Sequence, residues 1–146
     1  MKYHFSFEED ERGGYWGECL EIQGCLSEGN NLEDFKKNLK EALDLCLECA
    51  LNDEEDFILP FDEKEIREKN NILEISPEPS LMLSNMIKNL RKKYNLTQKE
   101  VAERMGYKSI WGYSKIESGK YSNIEFKTLG KIKSVFPDID LNLIFS

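Results

Sequence analysis

Residues 96–106 read Leu96-Thr97-Gln98-Lys99-Glu100-Val101-Ala102-Glu103-Arg104-Met105-Gly106, and residues 113–119 read Tyr113-Ser114-Lys115-Ile116-Glu117-Ser118-Gly119. Thr97 is placed to cap a helix, with its hydroxyl accepting the backbone N–H three residues on and Glu100 at the reciprocal capping-box position. Val101, Ala102 and Met105 fall on one helical face. Gly106 follows the last periodic residue, where a C-terminal cap permits positive φ. A short turn then leads to a second amphipathic helix ending at Gly119. Two short helices joined by a Gly-containing turn form the unit that places a helix in the DNA major groove.

The charge distribution agrees with a nucleic-acid partner for this region. From Leu81 onward there are 12 Lys or Arg and 6 Asp or Glu, a net of +6, whereas Met1 to Ser80 carry 8 and 22, a net of −14. The overall charge of −8 therefore averages two opposite halves. Such a split suggests a separate partner for each half. Two solvated surfaces of one soluble protein would also produce it, and the helix-turn-helix pattern is what tips the balance to DNA.

A length of 146 residues allows one domain or two small ones, and 40% hydrophobic residues are enough for cores. The chain has no run of about 18 apolar residues to span a membrane, and the first residues, Met1-Lys2-Tyr3-His4-Phe5, form no apolar signal core. A cytoplasmic protein is expected. Four cysteines, Cys19, Cys25, Cys46 and Cys49, all lie in the acidic half. Cys46-x-x-Cys49 has ligand-like spacing, and Cys19 and Cys25 could complete a four-thiolate zinc site. The pair nevertheless falls within a helical pattern without knuckle loops, so core packing is expected, with no metal and no cofactor.

In the acidic half, Tyr3, Phe5 and Phe7 alternate with His4 and Ser6, a half-buried strand that puts His4 outside. A turn at Glu8 to Gly14 precedes a second strand from about Tyr15 to Ile22. A short third segment, Cys25-Leu26-Ser27, closes at Glu28-Gly29-Asn30, completing an antiparallel meander. Asn31 then caps a helix in which Leu32, Phe35, Leu39, Ala42, Leu43, Cys46 and Ala50 recur at three- and four-residue steps. The helix is expected to stop near the acidic residues 52–56, and the apolar stretch 57–60 to dock the chain back. The charged stretch 63–70 reads as a short helix or loop. Ile72-Leu73-Glu74-Ile75 reads as a fourth strand, and residues 76–80, with Pro77 and Pro79, as a linker.

These residues carry a family resemblance. The Gly13-Gly14-Tyr15-Trp16 hairpin, Glu18-Cys19, Glu21 with Gly24-Cys25, Glu28-Gly29, and a helix bearing Asn38 and Glu41-Ala42 resemble antitoxins of the HicB type, closely over roughly residues 1–50. The C-terminal half resembles Xre/Cro-class helix-turn-helix repressors. The resemblance implies an α+β chain: a β-β-β-α-β partial ribonuclease-H-like domain over residues 1–79, binding a toxin, then an all-α DNA-binding domain over 80–146. It also implies a type II toxin–antitoxin system, with a HicA-type mRNA-cleaving toxin as partner and operator DNA of the chain's own operon as target. The −14 charge suits a basic partner, because opposite fields speed association. A free-standing helix-turn-helix regulator with an acidic protein- or ligand-binding domain is the alternative.

Catalysis is the weaker reading. Most carboxylates cluster in turns and on the polar helix face, where they are usually solvated. Strand positions offer chiefly Glu18, Glu21 and Glu74, too few for a converging two-metal set. No Ser-His-Asp set, Walker loop or dinucleotide motif is present.

In the basic half, Leu83, Met86, Ile87, Leu90 and Tyr94 form an amphipathic first helix, and the reader helix runs from about 109 to 118. Tyr113 and Ile116 are spaced to face inward, leaving Ser109, Ile110, Trp111, Gly112 and Lys115 for the groove. Lys108, Lys120 and Tyr121 flank the reader and suit phosphates. In the resembling repressors the residue matching Gln98 touches DNA at the groove edge, and Lys99 stands beside it. Those matching Arg91 and Glu117 form an ion pair joining the first helix to the end of the third. The segment from Met105 to Tyr113 is one residue longer than usual in that class, and Trp111-Gly112 stands where short polar residues are usual. Leu129, Ile132 and Val135 form a further helix stopped by Pro137. An apolar tail at Leu141, Leu143, Ile144 and Phe145 either closes the core or pairs with a second copy. Repressors of this class read near-palindromic sites as dimers, so a homo-oligomer, a dimer or dimer of dimers, is expected.

Overall fold

The computed structural model describes residues 1–53, 55–66, 71–121 and 123–145, so the charged stretch beyond residue 66 lies largely outside the described residues. The element order is β1 (Tyr3–Glu9), β2 (Tyr15–Cys19), β3 (Leu26–Gly29), α1 (Leu32–Asn52), α2 (Glu63–Ile66), β4 (Ile72–Ile75), α3 (Pro79–Lys93), α4 (Gln98–Arg104), α5 (Trp111–Glu117), α6 (Phe126–Val135) and α7 (Asn142–Phe145). The chain divides into two compact units, Met1–Cys49 with Ile58–Pro77, and Ala50–Phe57 with Glu78–Ser146. It is therefore an α+β protein. The end of α1 and the segment after it belong with the helical second unit.

The first unit is a four-stranded antiparallel sheet in the order β3-β2-β1-β4 with α1 on one face. Tyr3 and Phe5 point toward the helix and are fully buried. Across from them α1 presents Phe35, Leu39, Leu43 and Leu47, an i, i+4 ladder with exposures of 2% or less. Asn31 starts the helix, its Oδ1 accepting the Asp34 amide at 2.8 Å. Asn38 Nδ2 donates to the Glu28 carbonyl at 2.8 Å and ties the helix to β3. The first turn passes so close to the sheet that a Cβ on Gly29 would lie 2.5 Å from the Phe35 backbone.

Several expectations for this unit are corrected. His4 is not on the solvent side: it is 5% exposed, and its Nδ1 meets Glu21 Oε2 at 2.8 Å. Glu21 is the reason. Its carboxylate also accepts the His4 amide at 2.9 Å and the Phe61 amide at 3.1 Å, so a buried charge is satisfied from two segments distant in sequence. β2 ends at Cys19 rather than Ile22, because the chain turns through Gly24 at φ +81. β3 runs on to Gly29, where Glu28-Gly29 was expected to turn. Leu32 is 41% exposed, as the helix start overhangs the sheet. Cys19 and Cys25 are buried, but Cys49 is exposed and cannot be a core thiol. Among the described residues no cluster of three metal-ligating side chains occurs.

The second unit is helical. The boundary between the units falls within residues 76–80, between Pro77 and Glu78, and α3 begins directly after it, with Pro79 in the first turn, where its missing N–H costs nothing. The core gathers Met82, Leu83 and Ile87 of α3, Val101 and Ala102 of α4, Tyr113 and Ile116 of α5, and Ile132 of α6. Phe136 and Ile139, just past α6, are also buried, whereas Tyr94 is 40% exposed and its hydroxyl bonds Asp138. The buried Lys88 donates to the Leu51 carbonyl at 2.5 Å, satisfying an orphan acceptor at the end of α1. The apolar tail is divided: Ile144 is buried, while Phe145 is 76% exposed. Among the described residues no helix is long and apolar enough to cross a membrane.

Glycine substitutions test these packings. Gly29→Ala should destabilise the protein by about 2–3 kcal/mol, because its Cβ meets backbone that cannot yield. Gly130→Ala, inside α6 with open space around it, should instead stabilise by up to about 1 kcal/mol. Urea unfolding of the two variants measures both signs.

Candidate nucleic-acid interface

The helix-turn-helix geometry starts from local rules. Thr97 Oγ1 accepts the Glu100 amide at 3.1 Å and the Glu100 side chain reaches back to the Thr97 amide, so α4 opens on a capping box. It closes at Gly106, whose φ of +83 lets the chain reverse while the Tyr107 amide bonds the Ala102 carbonyl at 2.9 Å. Residues 107–110 bridge to α5, which is shorter than the expected reader: Ser109 and Ile110 lie in the turn before it. Gly119, at φ +74, ends that segment.

One ion pair binds the three helices. Arg91 Nε and Nη2 donate to Glu117 Oε2 and Oε1 at 2.8 and 2.7 Å, a two-pronged contact with side-chain exposures of 14% and 4%. Arg91 Nη1 also donates to the Leu96 carbonyl at 3.0 Å, and Gln98 Nε2 to Glu117 Oε1 at 3.3 Å. The pair thus ties α3 to α5, the turn after α3, and the start of α4. Burial pushes the Glu117 carboxyl up, but the Arg91 hydrogen bonds and charge outweigh it and hold the group below its ordinary value. Tyr113 beside it is pushed well above the phenol range, by burial first and then by the Glu117 charge.

The residues proposed from sequence are distributed as follows. Lys99, Lys108, Ser109, Lys115 and Lys120 are exposed, and Ile110 and Trp111 are 46% and 72% exposed. Lys115 Nζ sits 4.5 Å above the half-buried Tyr121 ring, a cation–π contact that anchors the ammonium at one end of α5. Gln98 is half-buried, its amide engaged by Glu117. Gly112 is half-buried too, and a Cβ there would lie 3.2 Å from the Tyr107 ring. The glycine therefore lets the turn pack closely against α5, which repays its cost in a helix. A cleft of about 250 Å³ between α4 and this turn is lined by Lys99, Ala102, Glu103, Tyr107, Lys108, Ser109 and Ile110.

A second surface lies on the first unit. Register and alternation place Glu8, Trp16 and Glu28 in one row on the sheet face opposite α1, and Ser6, Glu18 and Leu26 in the next. Trp16 and Leu26 are 43% and 56% exposed among these carboxylates. Tyr15, on the other face, stacks on Phe35 with centroids 5.6 Å apart. Sequence reasoning allowed one of Tyr15 and Trp16 to face outward but missed Leu26, since the register of β3 was needed to align it.

The second unit of this α+β chain is built around a capped helix-turn-helix, and a helix-turn-helix family model matches residues 87–144. Two UPF0150 proteins of Synechocystis are similar. One, ssr1258, is 33% identical over 48 residues, 33% of this chain and 70% of the relative. The other, ssl0738, is 41% identical over 46 residues, 32% of this chain and 64% of the relative. The chain belongs to the UPF0150 family. A chain of a solved HicA3 and HicB3 toxin-antitoxin complex is also similar, with 24% identity and a TM-score of 0.43 over 54% of this chain and 100% of that one.

The ion pair supplies a stability test. Arg91→Ala strands a buried carboxylate and should cost about 3 kcal/mol or more at neutral pH. Because the folded-state pKa of Glu117 is depressed, the pair's contribution is present in full above the ordinary value of 4.5 and is lost as the pH falls through the folded value. Glu117→Gln should remove that part of the acid-side slope. Urea unfolding from pH 7 to pH 3 reads both effects, and an unchanged slope would show that Glu117 does not titrate as bonded here.

Proposed function

We propose that this chain is an antitoxin of a type II toxin–antitoxin system. In this reading the first unit binds and neutralises a HicA-type mRNA-cleaving toxin. The second binds the operator and represses the operon that encodes both proteins. The observation that carries the reading is the coexistence, in one chain, of UPF0150 family membership, with a HicB-type pattern over its first 50 residues, and a helix-turn-helix. The charge split supports it: an acidic unit suits a basic ribonuclease, and a basic unit suits DNA phosphates. The exposed Trp16 and Leu26, ringed by Glu8, Glu18 and Glu28, supply apolar anchors of the kind that hold a complex once charge has steered it.

On the DNA side, Lys99, Lys108, Lys120 and Tyr121 are assigned to phosphates. Gln98, Ser109, Ile110, Trp111, Gly112 and Lys115 are assigned to the groove or its edge. The protein would act in the cytoplasm as a homo-oligomer, since near-palindromic operators match two-fold protein symmetry. No step in this function requires catalysis by the chain, a metal or a cofactor: neutralisation and repression are both binding events.

The test uses the full chain. Co-expression with the product of a neighbouring reading frame for a short basic protein should restore growth that the basic protein alone arrests. Lys108→Gln with Lys120→Gln should keep this rescue while weakening binding to DNA upstream of the operon. The slope of log affinity against log salt should fall by roughly one per lysine removed. A wild-type chain that neither binds nor protects against that protein would exclude the antitoxin reading. Intact salt-dependent DNA binding in the same sample would leave a free-standing regulator.

A further inference from the structure

The segment that a helix-turn-helix presents to base edges is short of polar readers in this chain. Residues 108–118 contain no Asn, Gln, Arg or Asp, and their one acid, Glu117, is 5% exposed and held by Arg91. Bidentate recognition of guanine or adenine, which needs Arg, Lys, Asn or Gln, has little to draw on. Two of the three serine hydroxyls are committed to their own helix, Ser114 Oγ donating to the Trp111 carbonyl at 3.3 Å and Ser118 Oγ to the Lys115 carbonyl at 2.7 Å, and the Tyr113 hydroxyl is buried, which leaves the exposed Ser109 as the one short polar side chain at the entry to α5. Lys115 lies over the Tyr121 ring, and Gly112 is closed off by Tyr107.

What this face offers instead is apolar. Trp111 is 72% exposed and Ile110 46%, an adjacent pair at the entry to α5 with exposed Lys108 close by in sequence. Large side chains so exposed contribute little to the core of the second unit. An indole has one N–H donor and no acceptor, so it cannot distinguish bases by a donor–acceptor pattern. The major groove has one apolar feature, the C5-methyl group of thymine. We infer that Trp111, with Ile110 beside it, is the specificity-determining residue of α5 and reads thymine methyl groups in the major groove. The inference rests on the DNA-binding reading and adds to it which base is read and by what chemistry.

The experiment uses the full-length chain and a library of random-sequence duplexes. Selected duplexes should share thymines at fixed positions. Each thymine is then replaced by deoxyuridine, which lacks only the methyl group. At one or two positions this should weaken wild-type binding about fourfold, the value of one buried methyl. Trp111→Ala should bind thymine and deoxyuridine duplexes alike, with an unchanged melting temperature because the side chain is exposed. Where Trp111→Ala binds too weakly to titrate, Trp111→Phe and Ile110→Ala carry the same comparison, each expected to shrink the difference. Deoxyuridine that is neutral at every position overturns the inference, as does an equal penalty in wild type and variants. Binding without any sequence preference overturns it too, while leaving DNA binding in place. Absence of binding to any duplex overturns the DNA-binding reading itself.

Discussion

The Arg91–Glu117 pair is the interaction on which the helix-turn-helix depends. Two charges removed from water are costly, and their attraction compensates only when the geometry is good and the remaining polar atoms are satisfied. Here the guanidinium uses three nitrogens, two on Glu117 and one on the Leu96 carbonyl, and the carboxylate takes a further bond from Gln98. A hydrophobic contact at this place would tolerate sliding of one helix on another. A two-pronged hydrogen-bonded pair does not, because its donors and acceptors must align in direction as well as distance. The angle between α3, α4 and α5 is what a groove-reading motif must hold constant, and this pair constrains all three.

The first unit solves a comparable problem with a different buried charge. Glu21 sits at the end of the β2 turn and gathers His4 and the Phe61 amide around one carboxylate. It joins β1 to the segment that follows α1, where the Tyr3 hydroxyl also donates to the Ile58 carbonyl at 2.7 Å. In both units a buried acid therefore organises segments far apart in sequence, while apolar ladders such as Phe35, Leu39, Leu43 and Leu47 supply the bulk of the burial. The acids that could serve a partner are different ones, the exposed Glu8, Glu18 and Glu28 on the uncovered sheet face.

In the proposed DNA-binding reading the second unit divides its work by chemistry: exposed lysines would supply charge, which carries affinity without regard to sequence, and the apolar pair at the entry to α5 would distinguish bases. Gly112 belongs to this arrangement although it presents no side chain: its bare Cα lets Tyr107 pack beside α5, and the Tyr107 ring in turn carries Lys131 4.9 Å from its centroid. The residue that looked weakest as a helix former is the one that allows the altered turn to close.

By itself the sequence determined the elements whose causes are local. The capping box at Thr97 and Glu100, the positive φ at Gly106, the helix end at Gly119, the alternation of Tyr3 and Phe5 and the strand at Ile72–Ile75 depend on neighbours within a few residues, and the structure has them. In α1 the three-and-four spacing holds for Phe35, Leu39 and Leu43, but Leu47 and Leu51, not Cys46 and Ala50, complete the buried face. The Arg91–Glu117 pair was legible through family resemblance, not from spacing. Only the tertiary structure decided where polar side chains end up. His4 alternates like a solvent-facing residue, yet Glu21 draws it into a buried bond, because a desolvated carboxylate must find donors wherever the fold supplies them. Residues 50–57 look continuous with the acidic half but belong to the helical unit, because the Leu51 carbonyl meets Lys88, a partner 37 positions away. Leu26 joined Trp16 on one face only once the register of β3 was set. Local rules act over one turn or one strand, whereas burial, register and charge pairing are properties of segments that meet only when the chain has folded.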